Sequence, residues 1–373
     1  MKKFFSLLLL STLLVSGCNA NNSSSKKKSV SQRTSSAKNE VINYTFNYET
    51  DAQPDIGQTP DEAYTKNGVY HVKYVNDDDY YQITFTDKKS KKTVPLCTKP
   101  NCSHKTIECD ANLPSDDSEL SNGESYVGNG YIQYYKGSLY APFKYGDYVY
   151  LEKMSADGST RSRYMKLCRF LQVKSIQDGA ENNSTYYPTI TIHRGYVYFT
   201  NDEIHGTSAT LYRMKLGSNK LEVIKAMKKG HPQIIRIHPY GDSVYFIAGE
   251  MSEDGYKYTG NLYRYNTNSN KVSVAGQSVI RNYTVMNGYI YYEDKKGDGT
   301  IYRKKAEDGK SERIVSVSYN QEDQTLLMWQ YDGDLILSIE DDTSGNIIKQ
   351  IRIHDSKKIE TVNKKKYSPY TKL

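Results

Sequence analysis

The sequence predicts an all-β fold, a β-propeller of six four-stranded blades, carried behind a signal peptide and a disordered tether. Three observations predict it. A glycine-led word recurs at a spacing near 45 residues. Tyrosine is the compositional outlier, with 36 Tyr against 8 Phe and 1 Trp in 373 residues. Short runs of alternating Val, Ile and Tyr end in clusters of Gly, Asn, Asp and Ser, a pattern of strands and turns rather than of amphipathic helices.

The N-terminus sets the compartment. Lys2 and Lys3 precede an apolar run from Phe4 to Val15. That run has the length of a signal-peptide core and falls short of the roughly 20 residues needed to span a bilayer. Val15-Ser16-Gly17-Cys18 follows. Small residues before a cysteine resemble the lipobox of bacterial lipoproteins. The resemblance implies cleavage after Gly17, a diacylglyceryl group on the Cys18 thiol, and a chain held at the extracytoplasmic face of the cell membrane.

Residues 18–40 read as a tether. Asn19 to Lys28 offers almost nothing apolar to bury, so it is expected to stay disordered as a spacer. Lys26, Lys27 and Lys28 either lie near anionic headgroups or stay solvated. The charge is concentrated here. The chain has 50 Lys+Arg and 43 Asp+Glu, of which residues 1–40 hold seven bases and the single acid Glu40. The remainder, 41–373, therefore has 43 bases and 42 acids, a net of +1. A neutral body removes the electrostatic argument for a nucleic-acid partner.

The body then repeats. Gly195-Tyr196-Val197-Tyr198-Phe199 returns as Gly241-Asp242-Ser243-Val244-Tyr245-Phe246 and as Gly288-Tyr289-Ile290-Tyr291-Tyr292. Weaker copies start at Gly68, Gly137 and Gly333. A second word follows a polar hairpin each time: Leu211-Tyr212-Arg213, Leu262-Tyr263-Arg264, Ile301-Tyr302-Arg303. The last three glycine intervals are 46, 47 and 45 residues, the period of a four-stranded propeller blade. Within one unit the strands are predicted at Ile234 to His238, Ser243 to Ile247, Asn261 to Tyr265 and Lys271 to Ala275. The tyrosines are read chiefly as packing between blades, with a ligand platform as the alternative. Six anchors favour six blades. The segment Asn43 to Tyr48 is read as a closing strand beside Lys358 to Val362; the alternative makes it part of a seventh blade.

One interval departs from the period. Gly68 to Gly137 spans 69 residues, and the excess, at about 95–112, carries Cys97, Cys102, His104 and Cys109. Two readings stand. The spacing C-x4-C-x-H-x4-C supplies three sulfurs and a nitrogen, a donor set that suits structural zinc. Alternatively Cys97, Cys102, Cys109 and Cys168 form disulfides, natural outside the cytoplasm, with three complete pairings available. Either role is structural, and no other cofactor is expected.

The Leu-Cys-x-Lys-Pro-x-Cys-x-His segment, a later Cys-x-Ala, and the Gly-Tyr-Ile-Tyr-Tyr and Leu-Tyr-Arg words together resemble a group of Tyr-rich propeller lipoproteins of Gram-positive bacteria. The blades are distantly similar to the YWTD propellers of low-density-lipoprotein-type receptors; the nearest word here is Tyr198-Phe199-Thr200-Asn201. The likeness covers roughly residues 60–373. It implies fold and surface location.

Other candidate sites are few. His193 and His238 both end a predicted innermost strand, where they could bind a metal or act as an acid/base pair in the channel. Asp77-Asp78-Asp79 and Glu340-Asp341-Asp342 could ligate Ca2+ but read first as hairpin tips, and Asp298-Gly299 reads as a turn. The mature chain has no G-x-S-x-G, no H-E-x-x-H and no phosphate-binding loop. No catalytic residue is therefore assigned. Two functions remain: a non-enzymatic module that binds a protein, peptide or glycan, and a propeller hydrolase or lyase with its site in the central channel.

Overall fold

The computed structural model describes Tyr44, 46–53, 62–75, 80–115, 124–127, 131–170, 172–177, 180–185, 189–200, 208–251, 258–294, 296–306, 309–331, 333–344, 346–354 and 359–363. The chain divides into two units at Glu40/Val41, and all of these residues belong to the second. Within it, strands form six four-stranded antiparallel blades of a β-propeller. No described helix is long and apolar enough to cross a membrane.

Blade 1 runs β1 (Glu62–Tyr64), β2 (Gly68–Val75), β3 (Tyr80–Asp87), then an outer strand in two pieces, β4 (Thr93–Pro95) and β5 (Asn112–Pro114). Blade 2 has a divided inner strand, β6 (Glu124–Tyr126) and β7 (Gln133–Tyr135), followed by β8 (Ser138–Tyr145), β9 (Tyr148–Ser155) and β10 (Arg161–Arg169). A separate hairpin, β11 (Gln172–Gln177) with β12 (Ala180–Thr185), leads to blade 3: β13 (Ile190–His193), β14 (Tyr196–Thr200), β15 (Ala209–Lys215) and β16 (Leu221–Met227). Blade 4 is β17 (Pro232–Tyr240), β18 (Ser243–Met251), β19 (Tyr258–Asn266) and the first part of β20 (Lys271–Met286). The second part of β20 opens blade 5, with β21 (Tyr289–Asp294), β22 (Thr300–Lys305) and β23 (Glu312–Ser316). Blade 6 is β24 (Gln324–Tyr331), β25 (Asp334–Asp341), β26 (Ile347–Ile353) and β27 (Ile359–Asn363).

The repeated words have a common geometry. Lys136-Gly137, Arg194-Gly195 and Asn287-Gly288 turn the first strand into the second with positive φ at both residues, 45° and 74°, 48° and 85°, 49° and 73°. Such two-residue turns match strand twist, and glycine adopts them at little cost. The second and third strands then set the two words opposite each other. Phe199 pairs with Tyr212, Phe246 with Tyr263 and Tyr292 with Tyr302. These pairs stack with ring centroids 5.5, 5.6 and 5.9 Å apart. Beside them Tyr198 faces Arg213, Tyr245 faces Arg264 and Tyr291 faces Arg303.

Among the described residues, five apolar clusters each fill one gap between neighbouring blades. Tyr198 and Leu211 of blade 3 meet Ile237 and Phe246 of blade 4; Tyr245 and Leu262 of blade 4 meet Val285 and Ile290 of blade 5. The most deeply buried tyrosines, including Tyr126, Tyr198 and Tyr245, are packing residues.

Where it is described, at Tyr44 and 46–53, the segment expected as a closing strand from Asn43 to Tyr48 forms no strand. Among the described residues β27 pairs with β26 alone. The segment instead forms a strap over the turns between first and second strands. Its Glu49 carbonyl accepts the Lys136 N–H at 2.9 Å, its Thr50 carbonyl accepts the Arg194 N–H at 2.7 Å, and Tyr44 packs edge-on against Tyr240 at 4.7 Å. Gln53 Oε1 accepts the Tyr64 N–H at 2.7 Å. Polar backbone that follows no sheet register is satisfied here by turn peptides and side chains.

Candidate metal centre

The excess residues of blade 1 interrupt its outer strand at one position. Leu96 donates its N–H to the Ile83 carbonyl at 2.9 Å, and Ile83 donates its own N–H to the Ala111 carbonyl at 2.8 Å. The loop 97–110 therefore leaves and rejoins the sheet at a single residue of β3. The neck packs into the gap between blades 1 and 2, where Leu96, Cys109, Ala111 and Leu113 lie with Tyr126, Phe143 and Met154. Gly158, in the turn after β9, closes against it: a Cβ there would lie 2.4 Å from the Leu96 carbonyl oxygen.

The loop gathers Cys97, Cys102, His104 and Cys109. One ligand atom from each lies within 4.8 Å of all the others, so the cluster is able to hold a metal ion. Cys109 is buried and the other three are half-buried. His104 Nδ1 stands 3.3 Å from Cys109 Sγ. Two residues away from the centre fix this imidazole. His104 sits at φ 58°, and its carbonyl accepts from Gln82 Nε2 at 2.9 Å and Asn112 Nδ2 at 3.3 Å. Asn112 also donates to the Thr106 carbonyl at 2.7 Å.

The electrostatics favour one thiolate first. Burial pushes the Cys97 thiol up, but the Lys99 and Asp110 N–H groups and the neighbouring thiols outweigh it, and the group lies below the usual range. Burial pushes Cys109 up to about 12, against the help of the Ala111 N–H. N–H donors aimed at sulfur favour the charged form that binds metal.

Cys168 is not brought to this cluster. It lies on β10 at the gap between blades 2 and 3, where burial alone pushes its thiol up to about 12. The four described cysteines are free thiols in the structure.

The two histidines are placed as structural groups. His193 is fully buried, its Nδ1 accepting the Ala52 N–H of the strap at 3.0 Å and its Nε2 donating to the Gly241 carbonyl at 2.7 Å. Both ring nitrogens are occupied, which leaves none for a metal. Burial lowers its pKa, partly offset by the Gly241 carbonyl and by Asp51, whose Oδ1 is 3.8 Å from Nδ1. Burial, helped by the proximity of His193, lowers His238 to about 4. Beside them Arg194 Nε donates to Asp51 Oδ1 at 2.9 Å and its NH1 reaches Asp242. Burial raises the Asp51 carboxyl, yet hydrogen bonds from Tyr44, Arg194 and the Asn47 N–H hold it below the usual range.

The acidic runs resolve simply where they are described. Asp341 Oδ1 accepts from the Ser344 N–H at 2.7 Å and Asp298 Oδ1 from the Thr300 N–H at 3.0 Å, both turn caps. Asp77, Asp78, Asp79 and Cys18 lie outside the described residues. Sequence reasoning missed Asp51, Gln82 and Asn112. Each is an ordinary polar residue in its local context, identified only by what the fold brings to it.

No family model matches the chain, and no curated protein matches it. Solved structures similar to it include TolB from Acinetobacter baumannii, at 11% identity over 74% of this chain and 61% of that one, TM-score 0.36. A post-proline cleaving enzyme from Rickettsia typhi is similar at 9% identity over 83% and 47%, TM-score 0.48. Oligogalacturonate lyase from Vibrio parahaemolyticus is similar at 7% identity over 84% and 94%, TM-score 0.34. The chain spans about half to three-fifths of the length of the first two. The propeller assignment rests on the blades themselves.

Proposed function

We propose that this chain is a membrane-anchored, extracytoplasmic lipoprotein of a Gram-positive cell, lipidated on Cys18, whose propeller is a non-enzymatic module for binding a protein, peptide or glycan. One observation carries the reading of the body. His193, buried at the end of β13, has both ring nitrogens engaged by backbone groups of the strap and of blade 4. Its chemistry serves the scaffold rather than a substrate. The strap also covers turns between first and second strands, so the binding surface is the opposite end, built from the hairpins between second and third strands.

The ion of the Cys-rich loop is zinc. Three thiolates and one imidazole are the donors of closed structural sites, which keep no open position for chemistry. Cys97, Cys102, His104 and Cys109 would hold it, and bound there it would crosslink the two halves of the outer strand of blade 1.

The binding reading is tested on cells that display the full-length chain. A photo-crosslinking residue replaces Lys296 or Thr343 on the hairpin end, or Lys136 or Asn287 on the strap end. The reading expects one partner captured from both hairpin positions and from neither strap position, with Cys18→Ala releasing the protein from the membrane. Capture only from the strap end, or from no position, overturns it.

A further inference from the structure

Strand β10 is the outer edge of blade 2 and reads Arg161-Ser162-Arg163-Tyr164-Met165-Lys166-Leu167-Cys168-Arg169, four bases and no acid. Charged residues on a free edge discourage strand addition, which alone would explain a basic edge. It does not explain what lies beside the last six residues, Tyr164 to Arg169. There the edge opens onto a cavity of about 670 Å3 between blade 2 and the turn after β15 in blade 3. That is the size range of small-ligand sites.

The cavity has the parts of a site for an acidic sugar. Its floor is apolar, from the buried Met165, Leu167 and Met214. One wall is Tyr148, 37% exposed, with Lys166 Nζ over its ring. Arg169 is the residue paired across the strands with Tyr148, so it stands beside the residue that carries Lys166 over its ring. Both are exposed, and neither has a carboxylate partner among the described residues. The opposite wall is the turn at Gly217, whose φ of 77° brings Ser218 and Asn219 to the rim. No carboxylate is among the described lining residues. An aromatic face suits the C–H surface of a sugar ring, an amide and a hydroxyl suit its hydroxyls, and a guanidinium matches carboxylate or phosphate in two-point fashion.

We propose that the groove between blades 2 and 3 binds an anionic glycan, a chain of sugar units carrying carboxylate or phosphate groups, with Lys166 and Arg169 on the acid and Tyr148 on the ring. The test measures binding of the full-length lipoprotein in detergent to oligoalginate, to a phosphomannan oligosaccharide, to neutral dextran and to oligoglutamate. Saturable binding of one or both acidic oligosaccharides, and not of dextran or oligoglutamate, is expected; which one binds identifies the acid. Lys166→Ala/Arg169→Ala is expected to weaken that binding by about 10- to 100-fold, the worth of losing charge-assisted hydrogen bonds. Tyr148→Ala weakens it with the salt dependence unchanged. Lys89→Ala/Lys92→Ala, which removes equal charge from the exposed turn after β3, leaves it unaltered. The proposal is overturned if neither acidic oligosaccharide binds, if oligoglutamate binds as well, or if the Lys89/Lys92 variant weakens binding equally.

Discussion

His104 and Cys109 face each other at the neck of the blade 1 loop, Nδ1 to Sγ, 3.3 Å apart. Cys97 and Cys102 complete the cluster, and the neck itself hangs on the single residue Ile83. A metal there joins strand halves that each hydrogen-bond to Ile83, across a loop whose two sides Lys99 also bridges through Asp110. Cys97→Ser or Cys109→Ser is therefore expected to lower the melting temperature by several degrees, as does a chelator on the wild type. In a thermal scan the chelator should add nothing to either variant. Cys168→Ser, at a different blade interface, should leave metal content unchanged. A chelator effect that persists in Cys109→Ser would locate the metal elsewhere.

Acid should loosen the strap side in a defined window. Folding lowers the pKa of His193 and His238, to about 4 for His238, so the unfolded chain binds these protons more readily. Stability is then complete above the unfolded value of about 6.5 and falls as pH drops towards the folded value. At ~1.4 kcal/mol per pH unit for each group, His238 alone removes about 3 kcal/mol between pH 6.5 and 4. Asp51 acts lower: its folded pKa is depressed, so its contribution is present above the unfolded value and lost below it. Urea midpoints at pH 7.5, 5.5 and 4.5 give the slope, and His238→Gln should flatten it. An equal slope in that variant would assign the effect to other groups.

The strap depends on Arg194, which bonds Asp51 and Asp242 and lies over the Tyr44 ring at 5.3 Å. Its side chain is partly exposed, so solvent screening holds the effect of Arg194→Ala to about 1–2 kcal/mol in global stability. The local effect is larger. Limited proteolysis should cut near residues 44–53 much faster in Arg194→Ala, and Arg194→Lys should rescue it only in part. Equal cutting rates would mean that the backbone bonds alone hold the strap.

Two glycines separate conformational strain from lack of space. Gly137 has φ 74° with open space around a Cβ, so Gly137→Ala should cost about 1 kcal/mol, the strain of a left-handed backbone alone. Gly299 has the same φ, but a Cβ there would stand 1.7 Å from the Val317 carbonyl oxygen. Gly299→Ala should cost at least about 3 kcal/mol and abolish the Val317 N–H bond to the Gly299 carbonyl. Denaturant titration of both variants gives the comparison.

The legible part of the fold was the part that repeats. The words at Gly195, Gly241 and Gly288 are readable because one cross-strand aromatic stack recurs in three blades. Blades 1 and 2 hid their strands, since an outer strand broken between Pro95 and Asn112 and an inner strand broken between Tyr126 and Gln133 lack a continuous alternation. The fusion of blades 4 and 5 through the 16 residues of β20 was equally hidden, because a predicted end at Ala275 ignored the strand that continues past it. The cysteine loop announced its donors but not their arrangement, which depends on Gln82 and Asn112, 22 and 8 residues from His104. The alternating Tyr and Phe of the strap read as a closing strand, and its true contacts gave no local signal: Glu49 and Asp51 are turn residues whose partners lie 85 and 143 residues away.

The metal centre is tested most directly by native mass spectrometry of the full-length lipoprotein, purified without added metal and alkylated before and after chelation. The account predicts one zinc per chain, with Cys97, Cys102 and Cys109 modified only once the metal is removed. A metal-free chain whose cysteines react only after reduction would contradict it.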